Sequence, residues 1–109
     1  MLDGGAGADT FLFAKVTDSA PSAFDTILNF DSLDTLDFSA IDANTLAKKD
    51  QAFAFGGHNE NLSANGLTWF ESGGNTIVQA DTDGNITTAE LMLELQGTGH
   101  NLSTTDFIL

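Results

Sequence analysis

The sequence predicts an all-β fold, and three features of the chain indicate it. Short runs such as Phe24–Phe30 alternate polar and apolar residues, which is the pattern of half-buried strands. Gly, Asn and Asp cluster between these runs, where tight turns require them. The chain also opens with a glycine-rich segment, Gly4–Leu12, in which an aspartate and a threonine precede a short apolar run.

The opening segment fits the pattern G-G-x-G-x-D-x-U-x, with Phe11 as the large apolar residue. Glycine adopts positive φ easily and exposes carbonyl oxygens at a tight turn, and Ca²⁺ binds carbonyl and carboxylate oxygens alike. The pattern resembles the calcium-binding repeat of RTX proteins. We therefore expect Gly5, Gly7 and Asp9 to supply about half of a calcium site, followed by a strand with Phe11 and Phe13 on one face.

Charge and composition exclude several classes of function. The 109 residues suit one domain, and they carry 16 acids against 3 Lys and Arg, a formal net charge of −13. This charge excludes nucleic acid as a partner, because phosphate binding needs a basic face. The absence of cysteine excludes a disulfide-stapled domain. No apolar run approaches the roughly 18 residues of a membrane span.

The acids of the first part of the chain favour metal binding over a merely solvated surface. Every acid from Asp3 to Asp42 is aspartate, and Lys15 is the only base in that stretch. Aspartate forms turns and is a short-reach calcium ligand. Without cations, these carboxylates repel one another.

The order of motifs makes the resemblance more specific. The opening repeat is followed by a loop around Pro21, then Phe24–Phe30 as a strand, a turn at Asp31–Ser32, and Leu33–Ser39 as a second strand. This order is similar to the end of the β-roll in the C-terminal domain of serralysin-type (family M10) metalloproteases. The resemblance implies the end of a parallel β-roll (residues 1–39) and a β-rich cap (residues 40–109) within one structural domain.

The same resemblance implies calcium ligands along the roll. In the family, acids that flank the roll complete its last calcium sites, and Asp9, Asp25, Asp34 and Asp37 match them. Asn29 stands where the family often has aspartate, so a site there brings no charge and is expected to be weaker. The expected metal ligands of the roll are Gly5, Gly7, Asp9, Asp25, Asn29, Asp34 and Asp37.

Resemblance to this family also implies how the protein is exported and where it binds calcium. The expected protein is the end of a longer bacterial RTX chain with upstream repeats, exported by a type I ABC exporter and loaded with Ca²⁺ outside the cell. Proteins of this kind often end with an acid and several apolar residues, which act as an uncleaved export signal. The matching residues are Asp106, Phe107, Ile108 and Leu109, which also read simply as a last edge strand.

The cap is expected to be mainly antiparallel. Asp42 or Asn44 predicts an N-cap for a short helix ending near Lys48–Lys49. Strands are expected at Ala52–Phe55, which Gly56–Gly57 should end, and at Leu67–Glu71, Thr76–Ala80 and Thr88–Leu95, with Leu91, Leu93 and Leu95 on one face. Polar turns are expected at His58–Asn61, Ser72–Asn75 and Asp81–Asn85.

Two interpretations remain open for the last turn. Asp81-x-Asp83-Gly84, with Glu90 further on, matches part of the EF-hand loop pattern, so Asp81 and Asp83 are candidate ligands of a further, weaker calcium site. Asx turns in a tight hairpin explain the same residues without a metal.

No catalytic residues are predicted. His58 and His100 lack partners at zinc-ligand spacing and are expected in exposed loops, and the H-E-x-x-H motif is absent. Any protease or other hydrolase activity is expected upstream of this chain. The alternative function is a carbohydrate- or protein-binding β module that uses an exposed Trp69, Phe70 and the Gly73–Gly74 turn.

Overall fold

A computed structural model describes residues 2–3, 5, 7–31, 33–41 and 53–109. Nearly all of the regular structure is β, as predicted. The strands are β1 (Leu2–Asp3), β2 (Thr10–Leu12), β3 (Asp25–Leu28), β4 (Thr35–Asp37), β5 (Ala54–His58), β6 (Gly66–Ser72), β7 (Asn75–Ala80), β8 (Leu91–Gln96) and β9 (Phe107–Ile108). Two short 3₁₀ turns lie at Val16–Ser19 and Thr104–Asp106. No helix among the described residues is long and apolar enough to cross a membrane.

Six strands form the long sheet, in the order β1-β3-β8-β7-β6-β5. Strand β3 pairs in parallel with β1 on one side and with β8 on the other. Strands β8, β7 and β6 pair antiparallel, as expected for the cap. The cap therefore continues the roll's own sheet through backbone hydrogen bonds and does not merely rest against its end.

Three strands form the short sheet, in the order β2-β4-β9, and every pair is parallel. Phe11, Leu36 and Phe107 share one register row across this sheet. All three side chains are buried. The expected edge strand at the C-terminus thus exists, and it joins the short sheet beside β4.

The core is one continuous cluster of apolar side chains from both regions. Phe38 lies at its centre, with ring centroids 5.3 Å from Phe13, 6.2 Å from Phe107 and 6.5 Å from Phe53. The predicted apolar face of β8 is confirmed, because Leu91, Leu93 and Leu95 are all fully buried. Roll and cap consequently share their hydrophobic stabilisation.

The β6–β7 turn follows the sequence prediction. Gly73 and Gly74 adopt φ of 61° and 83°, the pair of positive values that a two-residue hairpin turn requires. Ser72 and Asn75 close the register on either side of them.

The prediction that Gly56–Gly57 ends the preceding strand is wrong. Strand β5 runs through both glycines to His58 and pairs parallel with β6, with a register shift between Phe55 and Gly57. Gly57 has φ of 76°, typical of a bulge, and a Cβ on Gly56 would lie 2.5 Å from Thr68 Cγ2. The glycines therefore permit close strand packing. His58 accordingly lies in a strand and not in the predicted polar loop.

Two other expectations have different outcomes. The predicted helix between Asp42 and Lys49 lies outside the described residues. The strand predicted over Thr88–Leu95 begins only at Leu91, because the residues before it belong to a longer connection between β7 and β8. That connection contains the acidic cluster described next.

Candidate metal centres

Asp34 joins the two turns that precede β2 and β4. Its Oδ1 accepts a hydrogen bond from the backbone N–H of Asp9 at 2.9 Å, and its Oδ2 accepts one from Asp31 at 3.0 Å. The N–H of Thr35 donates in return to the carbonyl of Asp9 at 2.8 Å. Since Asp34 is only 3% exposed, these bonds replace the water that the carboxylate loses.

Asp9 leaves one carboxylate oxygen without a partner. Its Oδ2 is buried and accepts no hydrogen bond. Just before it, Gly5 and Gly7 have φ of 77° and 94°, a backbone conformation that side chains disfavour. The predicted positive φ values of the glycine bend are therefore present, and the bend leads to a buried carboxylate oxygen that accepts no hydrogen bond.

The other predicted roll ligands lie apart or are engaged locally. Asp25 is half-buried on β3, in the long sheet, whereas Asp37 is on β4, in the short sheet. Oδ1 of Asp37 accepts hydrogen bonds from the N–H of Ser39 at 2.9 Å and from its Oγ at 2.6 Å. Asn29 has φ of 58° and donates from Nδ2 to Asp3 Oδ2 at 3.3 Å. Among these roll residues, Asp9 and Asp34 are joined by a hydrogen bond.

The β7–β8 connection holds the one group of three convergent ligand side chains found within the described ranges. Asp81, Asp83 and Glu90 each place a carboxylate oxygen within 4.8 Å of the other two. Asp81 is fully buried, and its Oδ2 accepts the N–H groups of Asn65 and Gly84, both at 2.8 Å. Its Oδ1 is buried without a hydrogen bond.

Glu90 completes this group and was absent from the predicted ligands. Its Oε1 accepts the N–H of Thr82 at 2.8 Å. Burial raises the pKa of the Glu90 carboxyl above its ordinary value, the charges of Asp83 and Asp81 raise it further, and the Thr82 hydrogen bond opposes them. The sequence signal for Glu90 was its position after the D-x-D-G turn, which periodicity assigned to a strand.

Comparison with known proteins decides the family of the chain. The family model described as "Peptidase M10 serralysin C terminal" matches residues 3–109. The chain belongs to the serralysin C-terminal family. The resemblance inferred from the sequence is thereby confirmed.

One solved structure is similar to this chain in fold and in sequence. The solution structure of the AlgE6R3 subunit from the Azotobacter vinelandii mannuronan C5-epimerase matches with a TM-score of 0.61 and 26% sequence identity. The match covers 98% of this chain and 56% of that one, so the chain spans little more than half of its neighbour. None of the curated proteins matches the chain.

Membership of the serralysin C-terminal family implies a calcium-binding repeat module, and the roll offers one observation that fits calcium. The unpartnered, buried Oδ2 of Asp9 is a hard oxygen ligand next to a glycine bend. Asp34, in contrast, is already explained by its two backbone hydrogen bonds. Asp9 therefore keeps one carboxylate oxygen that the hydrogen bonds of the described residues leave unused.

Trp69 is placed differently from what the alternative function requires. It is only 5% exposed, and the His58 ring stacks on it with centroids 4.3 Å apart and planes 7° apart. His100 is half-buried, contacts Phe30 edge-on at 5.9 Å and lies 3.1 Å through Nε2 from the carbonyl of Gln96. Neither histidine joins a convergent ligand group in the described part of the chain.

The C-terminal residues of this serralysin-type chain are docked. Asp106 accepts the N–H of Ser103 at 2.9 Å through Oδ2, and Phe107 is buried in the core. Leu109 packs partly against that core, whereas Ile108 is 46% exposed. The segment with the expected export signal is thus part of the short sheet in the folded protein.

Proposed function

We propose that this chain is a non-catalytic, calcium-binding C-terminal domain of a bacterial RTX protein, exported by a type I system and stabilised by extracellular Ca²⁺. The observation that carries the proposal is the buried Asp9 Oδ2, which lacks a partner beside the positive-φ bend of Gly5 and Gly7. Family membership over residues 3–109 supports it.

Calcium would act here through coupled binding and folding. Burying an ionised carboxylate without a partner is unfavourable, so the folded roll is weakened until a cation neutralises Asp9. Ca²⁺ at about ten times its dissociation constant stabilises the native state by roughly 1.4 kcal/mol for each site. Extracellular calcium modules typically have dissociation constants of about 10⁻⁴ to 10⁻³ M, far above cytosolic calcium. The domain would therefore reach full stability only after export.

The docked tail is consistent with export of an unfolded chain. Phe107 is buried and β9 is hydrogen-bonded to β4, so an exporter can reach Asp106–Leu109 only before the domain folds. A low-calcium compartment would keep the signal accessible. We propose that Asp106, Phe107, Ile108 and Leu109 serve export first and pair with β4 afterwards.

Upstream repeats would have a place to bind. Strand β1 is an edge of the long sheet and β2 is an edge of the short sheet. Edge strands present unpaired N–H and C=O groups that accept a further strand. Preceding repeats of a longer chain would extend both sheets there and supply the other half of the Asp9 site.

Thermal unfolding of the chain in Ca²⁺, Mg²⁺ and chelator tests the proposal, with Asp9→Asn as the variant and Glu60→Gln as the control. Glu60 is an exposed acid, so E60Q removes an equal charge without touching the bend. We expect calcium, and not magnesium, to raise the Tm of wild type and E60Q more than that of D9N. Equal calcium shifts in D9N and E60Q would contradict a site at Asp9.

Export is tested separately by secretion from cells that carry a type I exporter. Replacing the last three apolar residues by serine should abolish secretion while the protein is still synthesised. Unchanged secretion would show that these residues are not needed for export.

A second candidate function is polysaccharide binding, because the similar AlgE6R3 subunit comes from a mannuronan epimerase. The burial of Trp69 under His58 counts against the aromatic platform that such binding was expected to use. Titration with mannuronan oligomers, followed by Trp69 fluorescence and by NMR, distinguishes the two functions.

A further inference from the structure

Strand pairing brings Asp81 and Glu90 together at the end of the β7–β8 hairpin. Ala80 and Leu91 are the last register partners of the two strands. The N–H of Glu90 also donates to the carbonyl of Ala80 at 3.0 Å. Asp81 and Glu90 follow this closing pair on either side, so the fold itself sets two acids opposite each other.

The buried Asp81 carboxylate is only half satisfied. Two backbone N–H groups, from Asn65 and Gly84, hold Oδ2, whereas Oδ1 is buried and receives no hydrogen bond. A buried polar atom without a partner is rare in folded proteins, because it forfeits its hydration without compensation. The unpartnered oxygen is therefore evidence for a bound ligand, and this evidence does not depend on the number of acids in the loop.

The neighbouring acids add further negative charge around the unpartnered oxygen of Asp81. Asp83 and Glu90 each bring a carboxylate oxygen within 4.8 Å of one from Asp81. Ionised carboxylates at such a separation repel one another. A cation among the three oxygens would remove the repulsion and satisfy Oδ1 of Asp81 at once.

We propose that residues 81–90 form a second Ca²⁺ site, with one carboxylate oxygen each from Asp81, Asp83 and Glu90. The ligands are all hard oxygens, which disfavours zinc and its preference for nitrogen and sulfur. Ca²⁺ tolerates irregular coordination, whereas Mg²⁺ demands a nearly ideal octahedron and keeps several waters. This site would add a second ion to the proposed calcium-binding function. It rests on that proposal only in assuming that the domain meets calcium outside the cell.

A calcium ion in this loop would fix several strands at once. Asp81 Oδ2 already holds the N–H of Asn65, in the connection between β5 and β6. Glu90 directly precedes β8, the strand that pairs with β3 of the roll. The site would therefore stabilise the cap and its junction with the roll, even where the site at Asp9 is incomplete.

The test follows backbone amides by ¹H–¹⁵N NMR while Ca²⁺ is titrated into the chain, and counts bound ions by calorimetry. Gly84 and Thr82 are the reporters, since their N–H groups donate to Asp81 and Glu90. The variant is Glu90→Gln, whose amide oxygen can still accept the Thr82 N–H, and the control is Glu60→Gln. We expect the Gly84 and Thr82 resonances to shift in wild type and E60Q, and E90Q to lose both the shifts and one ion.

The outcomes separate this site from the one at Asp9. Loss of the Gly84 shift in E90Q but not in D9N supports the loop site, whether or not D9N loses an ion of its own. Unmoved Gly84 and Thr82 resonances in wild type at millimolar Ca²⁺ would overturn it. An E90Q variant with the ion count and shifts of wild type would overturn it equally. Asp83→Asn, which alters a half-buried side chain, provides a second variant if E90Q does not fold.

Discussion

The backbone N–H of Asp9 donates to Oδ1 of Asp34 across 2.9 Å, although 25 positions separate the two residues in the chain. This bond fixes the glycine bend before β2 against the turn before β4, where the two parallel strands of the short sheet begin. The Asp34 carboxylate that makes the contact is buried, and Oδ2 of Asp9 itself accepts no hydrogen bond. Asp34 thus has a structural role, whereas the calcium-binding role that we propose falls to Asp9.

Asp34→Ala should destabilise the domain with or without calcium. The substitution leaves the N–H groups of Asp9 and Asp31 without their acceptors, and hydrogen bonds to a charged group contribute about 1.5–3 kcal/mol each. We expect a loss of about 3 kcal/mol in the free energy of unfolding, measured by urea denaturation in calcium and in chelator. A loss seen only in calcium would instead make Asp34 a ligand.

Phe38→Ala should cost about 3–5 kcal/mol of stability, since a large buried side chain is removed from the centre of the core. Phe38 contacts rings from the roll, the cap and the C-terminal strand. The matched control is Leu33→Ala, because Leu33 is 63% exposed and its loss should change stability by less than about 0.5 kcal/mol. Similar costs for the two variants, measured by urea denaturation, would contradict the shared core.

His58→Ala should move the fluorescence emission of Trp69 to longer wavelength. The imidazole covers the indole at 4.3 Å, so removing it admits water to the ring. The lost stacking should lower stability by about 0.5–1.5 kcal/mol. Glu60→Gln, two residues further along, should leave the emission maximum unchanged. An unchanged maximum in H58A would mean that the stack does not shield the indole.

The stability of the calcium-free protein should depend on pH through the ionisation of Glu90. Its pKa in the folded state is raised above the ordinary value of 4.5. Below 4.5 the carboxyl is protonated in both states, and as pH rises through the folded pKa the fold bears the cost of ionising it. Stability relative to the Glu90→Gln variant should therefore fall as pH rises above about 4.5. A difference between the two proteins that is constant with pH, measured by unfolding in chelator, would contradict this.

Local pattern predicted much of this fold because its causes are local. The alternation of Leu91, Leu93 and Leu95 indicated a strand with one buried face, and Gly73–Gly74 indicated the hairpin turn. The opening repeat likewise predicted positive φ at Gly5 and Gly7. Each of these features depends only on residues within a few positions.

Pairing between distant strands was beyond local pattern. Nothing in the sequence of β8 says that its second neighbour is β3, or that β5 joins β6 in parallel. Gly56–Gly57 is the clearest example. A pair of glycines is equally compatible with the end of a strand and with a bulge, and only the packing against Thr68 distinguishes the two. Glu90 belonged to the EF-hand-like pattern but not to the predicted ligands, and the Ala80–Leu91 pairing is what sets it opposite Asp81.

A crystal structure of the chain grown in saturating Ca²⁺, with calcium located by anomalous scattering, would show whether Asp9 binds the ion. We expect an ion bound to Oδ2 of Asp9, next to the bend of Gly5 and Gly7. An anomalous map with no ion there, in a crystal whose Asp9 oxygen contacts only water or protein, would contradict it.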